Sequence, residues 1–183
     1  MYDFTKFTHI FLTCLKLFLC YNECMEITRN LEITASEFFD CLFQNTVDEI
    51  AKQSKKEISK DSIKKGFKFV HQGKDAYSRI TFEVVDYQKD EYYKAKRTSF
   101  GGSVTVSYKV VPNDKGITVT LQQNVIQSGK PVEYKGIFGK FSEMLYLGRM
   151  SDNLYGIQKK VINAKEGIVE PKLMKPLFGR KKK

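Results

Sequence analysis

Hydrophobic positions change their spacing several times along the chain, and each change marks an element. In MEITRNLEITA, Ile27, Leu31 and Ile33 share one parity, while Glu26, Thr28, Asn30 and Glu32 share the other. A period of two with one apolar side predicts a half-buried strand. Thr34 and Glu37 follow in a T-x-x-E spacing just ahead of Phe38 and Phe39, which predicts a capping box at a helix start. Phe39, Phe43, Val47 and Ile50 then recur at three- and four-residue steps, so the helix should run to about Gln53. A Lys-rich stretch leads to a short helix near SKDSIKK, closed by Gly66 in a left-handed cap.

Residues 67 to 128 return to strand periodicity. Phe67, Phe69 and His71 fall on one side of FKFVH, and the QGKD that follows can turn the chain. Ile80, Phe82 and Val84 share a face of a long strand from Ala76 to Tyr87, with a turn at Gln88 to Asp90. Tyr93, Ala95 and Arg97 oppose Lys94 and Lys96 between Tyr92 and Ser99. After Gly101-Gly102, Val104, Val106, Tyr108 and Val110 point one way and Ser103, Thr105, Ser107 and Lys109 the other. Pro112-Asn113-Asp114 is read as a turn into a strand that carries Ile117, Val119, Leu121 and Val125 on one parity. Four successive strands joined by short loops make an antiparallel meander.

Past Gly129 and Pro131 the period becomes helical. Leu147, Met150, Leu154, Ile157, Val161 and Ala164 mark one stripe of a helix from about residue 138 to 165. Gly148 and Gly156 lie inside it, each costing about 1 kcal/mol relative to Ala, and are read as close packing, a bend, or simple tolerance. Gly167 ends the helix. The domain is placed at residues 25–166, with residues 1–24 as a non-domain leader and 167–183 as a flexible basic tail.

A sheet with one apolar face needs a cover, and the last helix has a matching stripe. This order of elements resembles the helix-grip fold of the START-like (SRPBCC) superfamily. The expected fold class is therefore α+β, an antiparallel sheet curved around a long C-terminal helix, with two short helices after the first strand. More narrowly, MEITRNLEITASEFFD, SIKKGFKF and GGSVTVSYKV are similar to a bacterial family known as domain of unknown function 3284. The resemblance covers about residues 25 to 165 and implies a fold rather than a reaction, since these motifs are fold-forming.

Composition narrows the classes. Of 183 residues, 42% are hydrophobic and 28% charged, which suits one globular domain and excludes a disordered chain. THIFLTCLKLFLCY in the leader is broken by Lys16 and is shorter than the roughly 20 residues of a spanning helix. Asp3 offsets Lys6 and no small-x-small site follows, so it is also a poor secretory signal; Met25 is the expected start, and a membrane anchor is the alternative. A cytoplasmic location follows from that reading. Cys14, Cys20 and Cys24 lie in or beside the leader and only Cys41 lies beyond, a spacing that matches no zinc or redox motif. The net charge is +10, with Lys52 to Lys65 and the tail residues Lys172, Lys175, Arg180, Lys181, Lys182 and Lys183 as its densest runs. Weak electrostatic contact of the tail with a polyanion or an anionic membrane is expected. No aromatic ribonucleoprotein motif appears, so sequence-specific nucleic-acid binding is not.

No catalytic motif is present, and no catalytic residue, metal site or cofactor is assigned. Cys41 is read as a core thiol rather than the partner of His71, because a nucleophile needs its base within reach. His71 and Arg97 share the inward parity, and the reading places both at solvated strand ends; binding of an anionic or carbonyl group is the alternative. Glu83 and Asp86 are assigned to opposite faces of their strand. The expected role is a non-catalytic module that encloses a small hydrophobic or amphipathic ligand between sheet and long helix. Phe82, Tyr93, Val106, Tyr108 and Leu121 would line that space opposite Met150 and Leu154. Arg97 and Tyr108 would supply its polar contacts. An interaction protein with a filled core and a basic docking surface is the second reading, and a cyclase- or hydrolase-like enzyme the third.

Overall fold

The computed structural model describes residues 24–54, 57–72 and 79–168. The expectations placed on residues 1–23, on the turn at Gly73 to Asp75 and on the chain beyond Ile168 lie outside the described residues. Strand β1 (Cys24–Leu31) buries Met25, Ile27 and Leu31 and exposes Glu26, Thr28 and Asn30. The capping box forms. The Thr34 backbone N–H donates to Glu37 Oε2 at 3.0 Å, and the Glu37 N–H donates to Thr34 Oγ1 at 3.3 Å. Together they satisfy two of the orphan donors at the start of helix α1 (Ala35–Ser54). Its apolar stripe sinks Phe38, Phe39, Leu42, Phe43 and Ile50 into the core.

The second short helix is less than expected. It is a single 3₁₀ turn, Lys60–Ser62, capped by the Ser59 hydroxyl. Only Ile63 of this stretch is buried, and one apolar side chain cannot hold a longer helix against the core. Gly66 has the expected left-handed φ of +85°.

Six strands form an antiparallel sheet in the order β1-β6-β5-β4-β3-β2, and β7 (Lys130–Pro131) pairs beside them with β6. β2 is Lys68–His71, β3 Ile80–Gln88, β4 Tyr92–Ser99, β5 Gly102–Asn113 and β6 Gly116–Gln127. The first strand thus returns to pair with the sixth, Ile27 opposite Leu121 and Leu31 opposite Ile117. The β5–β6 turn falls later than the Pro112-Asn113-Asp114 reading. Pro112 still pairs with Ile117, and Asn113 Oδ1 accepts the Lys115 N–H at 2.9 Å to bend the chain around Asp114 and Lys115. Gly116 closes that turn at φ +147°, against the β1 backbone. A Cβ there would stand 2.3 Å from the Leu31 carbonyl oxygen.

One face assignment is corrected. The β3–β4 register shifts between Val84 and Asp86, so Val84 opposes Ala95 and Asp86 opposes Lys94. The extra residue, Val85, is a β-bulge, and it reverses the parity of everything after it. Glu83 and Asp86 therefore share the solvent face, paired with Lys68 at 3.6 Å and Lys65 at 3.0 Å. Tyr87 turns inward and meets the rings of Phe39 and Phe43.

Helix α2 (Gly136–Lys165) packs across β1 and α1, burying Met150, Leu154, Ile157 and Val161. Ala164 is exposed, because the core-facing stripe ends at Val161 and Ile162. Nothing lies within 4 Å of where a Cβ would stand at Gly148 or Gly156, so close packing does not explain either glycine. Lys165 Nζ reaches Glu37 Oε1 at 2.7 Å, tying the end of α2 to the start of α1. No helix among the described residues is long and apolar enough to cross a membrane.

Candidate functional site

α2 lies over the β1 edge of the sheet, and this leaves the β2–β5 part less fully covered. There, between the second half of α1, the middle of α2 and the sheet, lies a cavity of about 630 Å³. Its sheet wall is Phe69, Phe82, Tyr93, Ala95, Val104, Val106 and Tyr108. Ala95 and Gly156 add almost no bulk to opposite walls, which is one reason the space stays open. The volume falls within the range of small-molecule sites, and the mostly apolar wall suits an apolar or amphipathic occupant.

Tyr93 is the polar group set deepest in that wall. It is 3% exposed, its ring lies 5.5 Å from Phe43 and 6.3 Å from Tyr108, and its hydroxyl has no hydrogen-bond partner among the described residues. Buried hydroxyls are normally paired, so this one, sealed from solvent and from the cavity alike, carries a cost in stability. Burial, with a smaller contribution from neighbouring Tyr108, raises the Tyr93 phenol pKa far above its ordinary value. Burial alone pushes Tyr108 up to about 12. Both are neutral at physiological pH and act as hydrogen-bonding groups, not charges.

The rim is charged and exposed. Arg97 Nη1 lies 3.6 Å from Glu49 Oε1, and Lys160 Nζ donates to Asn45 Oδ1 at 2.6 Å. Asn45 and Glu49 are four residues apart, which puts both on one face of α1, each meeting one of the two cations. Asp152 and Asn153 complete the α2 side.

The residues expected from sequence divide in two. Phe82, Tyr93, Arg97, Val106 and Tyr108 border the cavity. Leu121, Met150 and Leu154 do not, and that part of the expectation is corrected. They are 2%, 2% and 0% exposed in the filled part of the core, on the side of the sheet where α2 packs on β1. His71 is half-buried on β2 and does not border the cavity. Cys41 is likewise outside it; burial raises its thiol pKa, and its sulfur sits 3.8 Å from Asn45 Nδ2. Sequence reasoning missed Asn45, Glu49, Asp152, Gly156 and Lys160. The last three recur at four-residue steps, a small and polar edge beside the apolar stripe, and that spacing was the available signal. Among the described residues no three His, Cys, Asp or Glu side chains gather as a metal site requires.

The family model described as domain of unknown function (DUF3284) matches residues 25–143. No curated protein matches the chain. Among solved structures, Ara h 8.0201 superposes with a TM-score of 0.51 at 10% identity, over 77% of this chain and 98% of its own. The protein of unknown function SA2116 from Staphylococcus aureus gives 0.50 at 14% identity, over 79% and 95%. MLL2253 from Mesorhizobium loti gives 0.48 at 11% identity, over 78% and 98%. At such identities the likeness is one of fold, and it is that of the helix-grip proteins.

Proposed function

The chain belongs to the family described as domain of unknown function DUF3284, and from that membership and its helix-grip fold we propose a module that binds one small amphipathic molecule. The observation that carries the reading is the cavity of about 630 Å³, bordered by the mostly apolar wall of Phe82, Tyr93, Val104, Val106 and Tyr108. An apolar body would sit against Phe82, Val104, Val106 and Ala95. Arg97 and Lys160 at the rim would meet any polar group that reaches solvent. The reading is non-catalytic. Neither the Cys41 thiol nor the His71 imidazole borders the cavity, so a bound molecule would meet no Cys–His pair there.

The test is a titration of the purified full chain with an apolar fluorescent dye, beside Val106→Phe. Saturable binding by the parent is expected, with affinity reduced about tenfold or more in the variant and a melting temperature close to the parent's, because the larger ring enters open space. A parent that takes up no dye, together with a variant that melts far below it, would refute the cavity.

A further inference from the structure

The first half of α2 carries a second apolar stripe that the core does not use. At about 100° per residue, Met150, Leu154, Ile157 and Val161 define the side that faces the sheet. Ile137, Phe138, Phe141, Met144 and Leu145 fall on the opposite side, within an arc of about 120°. They are 87%, 89%, 56%, 60% and 48% exposed. Further along, the same arc carries Lys159 and Asn163, with Tyr155 its one large exposed apolar side chain, so the continuous stripe ends where the helix docks on the domain. One exposed apolar side chain is ordinary, but five contiguous ones on a single helix face mark an interaction surface.

Charge identifies what the surface fits. Lys140 and Arg149 stand at the two edges of the stripe, and the Arg149 guanidinium lies 5.9 Å over the Tyr146 ring. A helix face of Phe, Ile, Leu and Met flanked by cations is the pattern of helices that lie flat in a bilayer interface. The whole chain carries +10, which attracts an anionic surface and opposes a second copy of itself. We propose that the first half of α2 docks this protein on membranes containing anionic lipid, with Ile137, Phe138 and Phe141 inserted among the acyl chains and Lys140 and Arg149 at the headgroups. This surface is separate from the cavity and does not depend on it.

The experiment is co-sedimentation of the full chain with vesicles of phosphatidylcholine alone and with vesicles of equal parts phosphatidylcholine and phosphatidylglycerol. The parent should partition onto the anionic vesicles and much less onto the neutral ones. Phe138→Asp with Phe141→Asp should lower that partition at least about tenfold, since two buried aromatic anchors are lost, and should leave the melting temperature unchanged. Lys140→Gln and Arg149→Gln, which keep the apolar stripe, should each cost about fivefold on anionic vesicles and little on neutral ones. Equal partition of parent and aspartate variant, or no partition of the parent, overturns the proposal. So does a parent that runs as a dimer in solution and a variant that runs as a monomer, because the stripe would then be an interface between copies of the chain.

Discussion

Replacing Tyr93 with Phe removes a single oxygen atom, and in the unliganded protein it should raise stability. The ring is held by Phe43 at 5.5 Å and Tyr108 at 6.3 Å, and a Phe ring keeps both contacts. What disappears is a buried hydroxyl without a partner among the described residues. Leaving such a group unpaired costs about 1–3 kcal/mol, while phenylalanine at the same position carries no such penalty. With about 2–4 °C of melting temperature per kcal/mol in a domain of this size, a gain of 1–2 kcal/mol should appear as about 2–8 °C. The dye-bound protein should respond in the same sense. An apolar dye in the cavity should bind Tyr93→Phe about as well as the parent, since the sealed hydroxyl does not face that space. Thermal melts of both proteins, with and without the dye or a ligand recovered by native mass spectrometry, measure both effects. A fall in the melting temperature of unliganded Tyr93→Phe would refute the reasoning, since it would mean that the hydroxyl is already paired in solution.

Gly116→Ala should destabilise by at least about 2 kcal/mol in urea melts, because its Cβ would meet the Leu31 carbonyl oxygen at 2.3 Å in a backbone conformation that alanine avoids. Thr34→Ala removes the hydroxyl that accepts the Glu37 N–H and should cost about 0.5–2 kcal/mol, read in the same way. Gly148→Ala should gain up to about 1 kcal/mol, since nothing opposes a Cβ there and helix propensity favours it. Alkali should unfold the protein with a tyrosine signature. The Tyr93 and Tyr108 phenols have raised pKa values when folded, so above about pH 10 the folded state holds protons that the unfolded state has lost. Stability should therefore fall as pH rises from 10 through the folded pKa values, by up to about 1.4 kcal/mol per pH unit for each phenol, and Tyr93→Phe should remove one share of that slope.

Local signals were legible wherever one residue's neighbours in sequence are also its neighbours in space. The parity of Ile27 and Leu31, the Thr34–Glu37 box and the stripe from Leu147 to Val161 all belong to that class, and the structure contains each of them. The bulge at Val85 does not. It inserts one residue into a strand that reads as continuous alternation, and only pairing with Ala95 and Lys94 reveals which residue is extra. The cavity was half legible for the same reason. Strand parity correctly sends Phe82, Tyr93, Val106 and Tyr108 inward, but parity says nothing about where a helix crosses the sheet. α2 crosses at β1, so it fills the space around Leu121, Met150 and Leu154 and leaves the opening toward β3 and β4. The charged rim escaped notice because Asn45, Glu49 and Lys160 become a site only when two helices meet.

The pairing of β1 with β6 also sets a clock on the ribosome. Thr28 and Thr120 meet across the ladder with a sequence separation of 92 residues, so β1 leaves the exit tunnel long before its partner is made. At about 5–20 residues per second, that interval lasts about 5–20 s, far longer than the microseconds in which a hairpin forms. Throughout it Met25, Ile27 and Leu31 form an apolar strand edge with nothing to pair against, within reach of neighbouring nascent chains. The hairpins from β3 to β6 can close as they emerge. The first strand made is then among the last to be seated, and a ribosome stalled before Ile117 would hold a nascent chain with that edge still open.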